Sequence, residues 1–118
     1  MTGLLFLVNI TYAQKKTSTA AERADKLTEW MKTNLQLNDD QATQVQNINL
    51  KYANKTQGLQ TQTMSRKEKM QILKDNDKAK DVELKNVFTT EQYNTYQVKK
   101  DEVRKQMKEK MREKKNSR

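Results

Sequence analysis

Two five-residue segments of this chain carry the same signal for the start of a helix. They are Leu37–Gln41 and Phe88–Gln92, and their capping residues lie 51 positions apart. In each segment an apolar residue precedes Asn38 or Thr89, whose side chain can accept a hydrogen bond from a free backbone N–H of the first helical turn. A Gln three positions later can bond back to the N–H of the capping residue. The chain is therefore predicted to begin two long helices with the same device.

Two more capping boxes, at Thr19–Glu22 and Ser65–Glu68, bring the number of predicted helices to four. The chain has no Pro and only two Gly, so nothing in the sequence interrupts long helical runs. Gly58, in a stretch rich in Gln and Thr, is expected to bend or end the second helix. The predicted fold class is all-α, with helices over residues 20–34, 39–62, 66–87 and 90–114.

The apolar stripes of these helices are thin, with one apolar side chain per turn or fewer. The stripe of the third helix is interrupted by Asp77 and Lys80, and Phe88 and Tyr93 then occupy the positions of a hydrophobic staple that fixes a sharp bend. The stripe of the fourth helix consists of Tyr93, Tyr96, Val103, Met107 and Met111. A helical core needs three to four apolar residues per two turns. We therefore expect a bent helical hairpin whose uncovered apolar surface is shared with a second copy in a homodimer.

The net charge of the chain is +9, and most of it lies at the C-terminal end. Residues 98–118 hold ten Lys or Arg and four Asp or Glu, a net charge of +6. Such a basic end attracts acidic partners, among them nucleic acid, anionic lipid and acidic unfolded chains. The alternative interpretation is a solvated helix end whose cations complement the negative pole of the helix dipole.

Residues 1–13 are predicted to be a secretory signal peptide. The apolar run from Gly3 to Ile10 is too short to span a bilayer, and Thr11 and Ala13 place small residues where signal peptidase requires them. The alternative is the buried start of a strand or helix. On the first interpretation the mature protein, residues 14–118, begins near Gln14 and resides in a periplasm-like or extracellular space.

The residues that most catalytic and metal sites need are missing. The chain contains no Cys and no His, which excludes thiol chemistry and imidazole acid–base catalysis. Its two isolated Gly cannot form a phosphate-binding loop. Asp75, Asp77 and Asp81 are interpreted as a solvated acidic patch, because Ala79 and Lys80 stand where a calcium loop needs a ligand and a Gly. We expect a protein that is not an enzyme and that holds no cofactor or metal.

With its signal peptide, small basic helical chain and two Leu-Thr-x-x-Gln-like helix starts, the sequence resembles the Spy/CpxP family of bacterial periplasmic proteins. The resemblance covers roughly residues 25–112. Two positions depart from the motif, and each keeps the physical role of the residue it replaces: one capping residue stands for another, and one apolar residue stands for another. The motif positions are Leu37, Asn38, Gln41, Phe88, Thr89 and Gln92, with Asn38 in place of Thr and Phe88 in place of Leu.

The resemblance implies long bent helices in an antiparallel, cradle-shaped dimer. The concave surface of such a dimer, basic with apolar spots, holds unfolded or partly folded client proteins without ATP. Family members also serve as envelope-stress sensors or as metal-responsive proteins. The metal-responsive branch uses His ligands, which this chain lacks.

The sequence therefore favours a periplasmic, ATP-independent chaperone or envelope-stress protein. The alternatives are a helical adaptor or sensor for one signalling partner, and a basic binder of membrane surfaces. Nucleic acid is not an expected partner, since the basic end lacks interleaved aromatic residues. Among the methionines, Met70 and Met107 are expected to fill the core. The candidate client contacts are Ile72, Ala79, Lys99, Arg104, Lys108 and Met111.

Overall fold

The computed structural model of the chain describes residues 18–116, so the predicted signal peptide lies outside the described residues. Within these described residues, four α-helices follow one another: α1 Ala20–Leu35, α2 Asp39–Leu59, α3 Arg66–Val87 and α4 Thr90–Asn116. The all-α prediction is confirmed, and each helix boundary lies within three residues of its predicted position. The second helix ends at Leu59, directly after Gly58, as the sequence indicates.

Three of the four predicted capping boxes are complete, with hydrogen bonds in both directions at Thr19, Asn38 and Thr89. At Ser65 one half is formed, with the hydroxyl accepting from the Glu68 N–H at 3.1 Å. Gln36 ends α1 in the left-handed conformation, with φ of 53°. The short connection that follows turns the chain directly into α2. The local sequence signals therefore fix where each helix begins.

A small core lies between the helices. Met31 of α1, Val45 of α2 and Leu84 of α3 are fully buried, and Tyr96 of α4 is 2 % exposed. Phe88 packs edge-on against Tyr96 with ring centroids 5.7 Å apart. Phe88 is buried and Tyr93 packs against the same core, as expected for the staple between α3 and α4.

The helices pack in a closed order, with α1 along α2, α2 along α3, and α4 against both α1 and α3. The first half of α4 packs against α1 and α3, whereas every residue from 101 to 116 is exposed. We call residues 101–116 the α4 overhang. Within residues 18–116, no helix has an apolar stretch of the length needed to cross a bilayer.

Two expectations are wrong. Met70 and Met107 do not fill the core, since they are 51 % and 61 % exposed. Met70 lies near the start of α3 beside exposed residues 65–68, and Met107 lies on the overhang. The predicted solvated acidic patch also fails for two of its members, because Asp77 and Asp81 form ion pairs with α4.

Candidate functional site: the α4 overhang and the residues that hold it

The two motif glutamines, Gln41 and Gln92, bind each other across the molecule. The Gln41 Nε2 donates to the Gln92 Oε1 at 2.7 Å, and the Gln92 Nε2 donates to the Gln41 Oε1 at 3.3 Å. Each also donates to the last carbonyl of the helix preceding the other motif, Gln41 to Val87 and Gln92 to Leu35, both at 3.2 Å. The two helix starts therefore form one junction with approximate twofold symmetry.

Every hydrogen-bonding position of these two amides is used. Each Oε1 accepts from the N–H of its own capping residue, Asn38 or Thr89, and from the other Gln. Each Nε2 donates twice, once to a helix carbonyl and once to the other Gln. A Glu in either position would retain the acceptor and lose both donors. This explains why the fourth position after the apolar residue is Gln in both segments.

The junction fixes the start of α4, and the apolar stripe of that helix then runs out of the core. Tyr96 is buried, whereas Val103 is 39 % exposed, Met107 61 % and Met111 72 %. These residues recur at intervals that keep them on one helical face. The face that packs in the first half of α4 therefore continues along the overhang without cover from the described residues.

Cations surround this exposed stripe. The overhang holds seven Lys or Arg against four Asp or Glu. Of the predicted client contacts, Arg104, Lys108 and Met111 lie on the overhang and are exposed, and Lys99 is half-buried just before it. Ile72 and Ala79 lie instead on α3, where Ile72 is half-buried and Ala79 is exposed. Four of the six candidates thus share one helix. Their role in client binding stays a prediction.

A charged seam joins α3 to α4 where the overhang begins. The Lys100 ammonium lies 2.8 Å from an Asp77 oxygen and 2.7 Å from an Asp81 oxygen. Arg104 pairs with the same Asp77 oxygen at 2.8 Å, and the Tyr96 hydroxyl donates to Asp81 at 2.8 Å. We call Asp77, Asp81, Tyr96, Lys100 and Arg104 the α3–α4 seam. The seam supports the helix that carries the exposed stripe.

The seam shifts the pKa values of Asp77 and Tyr96. Burial alone would raise the pKa of Asp77, but the hydrogen bond and charge of Lys100, together with Lys80 and Arg104, outweigh it and hold the pKa below its usual value. Burial, followed by the hydrogen bond to Asp81, raises the pKa of the Tyr96 hydroxyl far above its usual range. Near neutral pH the carboxylate of Asp77 is therefore charged and the phenol of Tyr96 is neutral.

A second polar contact ties α2 to α3. The Tyr52 hydroxyl donates to Glu83, whose other oxygen lies 2.6 Å from the Lys51 ammonium. The hydrogen bond to Glu83 and the burial of the ring raise the pKa of Tyr52 to about 12. The hydrogen bonds from Lys51 and Tyr52 in turn hold the pKa of Glu83 below its usual value. These two polar contacts of α3, with α2 and with α4, therefore each combine an aromatic residue with a carboxylate and a cation.

Sequence reasoning did not identify the seam or the pairing of Gln41 with Gln92. A signal for the seam does exist. Asp77 and Asp81 are four residues apart on α3, and Lys100 and Arg104 are four residues apart on α4. Because the two pairs have the same spacing and a short connection joins α3 to α4, the acidic residues of one helix can pair with the basic residues of the other. Many other charged residues of this chain have the same spacing, so the spacing does not single out these four.

Comparison with known proteins gives a family for the chain. Residues 11–96 match the model of a family described as a domain of unknown function, DUF4890. The match covers 86 of the 118 residues, and the chain belongs to this family. No significant match was found among curated proteins or among solved structures. The matched segment ends at Tyr96, so the α4 overhang lies beyond it.

Proposed function

We propose that this DUF4890 protein is a periplasmic, ATP-independent chaperone or envelope-stress protein of the Spy/CpxP type. Unfolded or partly folded clients would bind to the basic, partly apolar surface of the α4 overhang. The observation that carries the proposal is the apolar stripe of α4, whose exposure rises steadily from Tyr96 to Met111. A face that is apolar but uncovered in the folded chain is available for a partner.

The chemistry of the overhang suits many partners rather than one. Met107 and Met111 have flexible, polarizable side chains that adapt to different surfaces. The surrounding Lys and Arg attract acidic segments over long range, which speeds encounter and weakens with salt. A client that buries its own apolar residues loses its contact with the stripe and is released, so the cycle needs no nucleotide.

The proposal is tested by measuring how the purified chain suppresses the aggregation of two or three unrelated unfolding proteins at several salt concentrations. We expect suppression for every client, weaker as salt rises because the cations are screened. The double variant Met107→Ser/Met111→Ser should suppress aggregation less than the native chain. The matched control, Met70→Ser/Val82→Ser, changes two exposed apolar residues on α3 and should leave suppression unchanged.

Failure of this assay would have a definite meaning. If no client is protected, the chaperone proposal is wrong and a helical adaptor or sensor with one signalling partner is favoured. If the α3 control variant loses as much suppression as the α4 variant, client binding is not specific to the overhang. Export is tested separately, by N-terminal sequencing of the protein from the periplasmic fraction, which should begin near Gln14.

A further inference from the structure

A groove of about 280 Å³ lies between α1, α2 and α3. Its lining combines apolar residues, among them Leu27 and Leu73, with polar side chains from all three helices. Three of its polar side chains have hydrogen-bonding capacity that the described residues leave unused: Arg23, Asn49 and Lys80.

Asn49 is only 2 % exposed, and the orientation of its amide follows from its neighbours. The Thr28 hydroxyl donates its one hydrogen to the Ala24 carbonyl at 2.8 Å. The Asn49 Nδ2 donates to this hydroxyl oxygen at 3.0 Å. That leaves the carbonyl oxygen, Oδ1, which is buried and has no hydrogen-bond partner among residues 18–116. An unpaired buried acceptor is costly, so a water molecule or ligand that bonds to this oxygen is stabilised there.

The groove also presents unpaired donors. The Nη1 of Arg23 is bonded to the Ser18 carbonyl, but its Nη2 is buried without a partner among the described residues. Lys80 is half-buried, and within residues 18–116 its ammonium makes no hydrogen bond and no ion pair within 4 Å. Burial lowers the pKa of Lys80, opposed by the charge of Asp77. The Asp77 carboxylate also lines the groove, but Lys100 and Arg104 already pair with it.

We propose that this groove binds a carboxylate that carries an amide N–H on the neighbouring carbon. The carboxylate would take the donors of Arg23 and Lys80, and the amide N–H would donate to the Asn49 Oδ1. Two sources share this chemistry: a small N-acylated amino acid and the C-terminal end of a peptide chain. The site does not depend on the proposed chaperone function, because its residues lie outside the overhang.

The test is a titration of the full chain, followed by NMR at the Asn49 side-chain amide and at the backbone amide of Ala53, which also lines the groove. The probes are N-acetylalanine, its neutral C-terminal amide, and an acetylated tetrapeptide that ends in a free alanine carboxylate. We expect saturable shifts with N-acetylalanine and none with the neutral amide. Saturation by the tetrapeptide as well would identify chain ends as a source, and its absence would restrict the site to the small molecule.

Substitutions test whether Lys80 and Arg23 donate hydrogen bonds to the bound carboxylate. Lys80→Gln and Arg23→Gln should each weaken N-acetylalanine binding by about tenfold or more, as loss of a charge-assisted hydrogen bond predicts. Lys74→Gln removes the same charge from an exposed site on the same helix and should leave binding unchanged. Far-UV circular dichroism verifies that each variant is folded.

Three results would overturn the proposal: no saturable shift with either carboxylate, equal binding of the neutral amide, or unchanged affinity in both folded groove variants. The first of these would mean that water alone satisfies Asn49. The comparison of N-acetylalanine with its neutral C-terminal amide uses the native chain, so it tests the proposal even if a variant does not fold.

Discussion

At the scale of single residues, the strongest structural constraint is the mutual bonding of Gln41 and Gln92. We expect Gln41→Ala and Gln92→Ala each to lower the free energy of unfolding by about 2 kcal/mol, because each leaves partly buried groups unpaired. The double variant should lose less than the sum, since the two residues share bonds. Urea unfolding at one protein concentration measures all three. Gln44→Ala, at an exposed position of α2, is the control and should change stability by less than about 0.5 kcal/mol.

If the stability losses of the two single variants add up in the double variant, the two amides act independently, each as a cap for its own helix. The sequence predicts the two caps but not the bond between the two glutamines. A capping box is a local pattern, so it can be read from four consecutive residues. The bond between Gln41 and Gln92 joins residues 51 positions apart, and it exists only once the helices have packed.

A second residue-scale prediction concerns Lys80, whose half-buried ammonium has no bonded partner within residues 18–116. A desolvated charge without a hydrogen bond destabilises the fold. Lys80→Met should therefore be at least as stable as the native chain at neutral pH, with a gain of about 1 kcal/mol. Thermal and urea unfolding measure this, with the exposed Lys74→Met as control. A clear loss of stability in Lys80→Met alone would show that the fold itself requires the ammonium.

At the scale of the elements, the α3–α4 seam makes stability depend on pH. Because the pKa of Asp77 is lower in the folded chain than its usual value of 3.8, its contribution is complete above that value and is lost as the pH falls through the folded pKa. Asp77→Asn should cost about 1 kcal/mol at pH 7, a modest amount because the pairs are partly solvated. The difference from the native chain should vanish in acid.

Urea unfolding of both proteins from neutral to acid pH measures the effect. Asp101→Asn, an exposed carboxylate on α4, provides the comparison and should show no such pH-dependent difference. If Asp77→Asn were equally destabilised at every pH, its effect would come from packing rather than from charge.

The overhang leads to a further prediction about an element. A chain that ends after Arg104 keeps the seam and every buried residue, so its free energy of unfolding should stay within about 0.5 kcal/mol of the native value. It should nevertheless lose most of its suppression of client aggregation. The two measurements together separate the surface that binds from the core that folds. A truncated chain that protects clients fully would exclude the overhang as the binding surface.

Element bounds were predictable because caps, staple and the absence of Pro are all local signals. The exposure of Met70 and Met107 was not, since periodicity places a residue on a helical face but does not tell how far a neighbouring helix extends. In the sequence, Asp77 and Lys80 interrupt the apolar stripe of the third helix. In the folded chain Asp77 forms the polar contact with α4, and Lys80 lines the groove between α1, α2 and α3.

At the scale of the whole molecule, the expectation of a homodimer now depends on one helix. The chain closes a core of its own, so the thinness of the stripes does not by itself require a partner. On α4 the stripe of Val103, Met107 and Met111 remains uncovered by the described residues. Two copies that aligned these stripes would cover them.

We therefore expect sedimentation equilibrium to find a dimer across the micromolar range. The triple variant Val103→Ser/Met107→Ser/Met111→Ser should be a folded monomer, whereas Met70→Ser/Val82→Ser should remain dimeric. A native chain that is monomeric throughout this range would leave the stripe open in solution. Dimerisation and client binding would compete for the stripe if both used it, so adding an unfolded client should then shift the native chain toward monomer. An unchanged dimer that still protects clients would place the client surface outside the paired stripes, on the exposed faces of the overhang that carry its Lys and Arg.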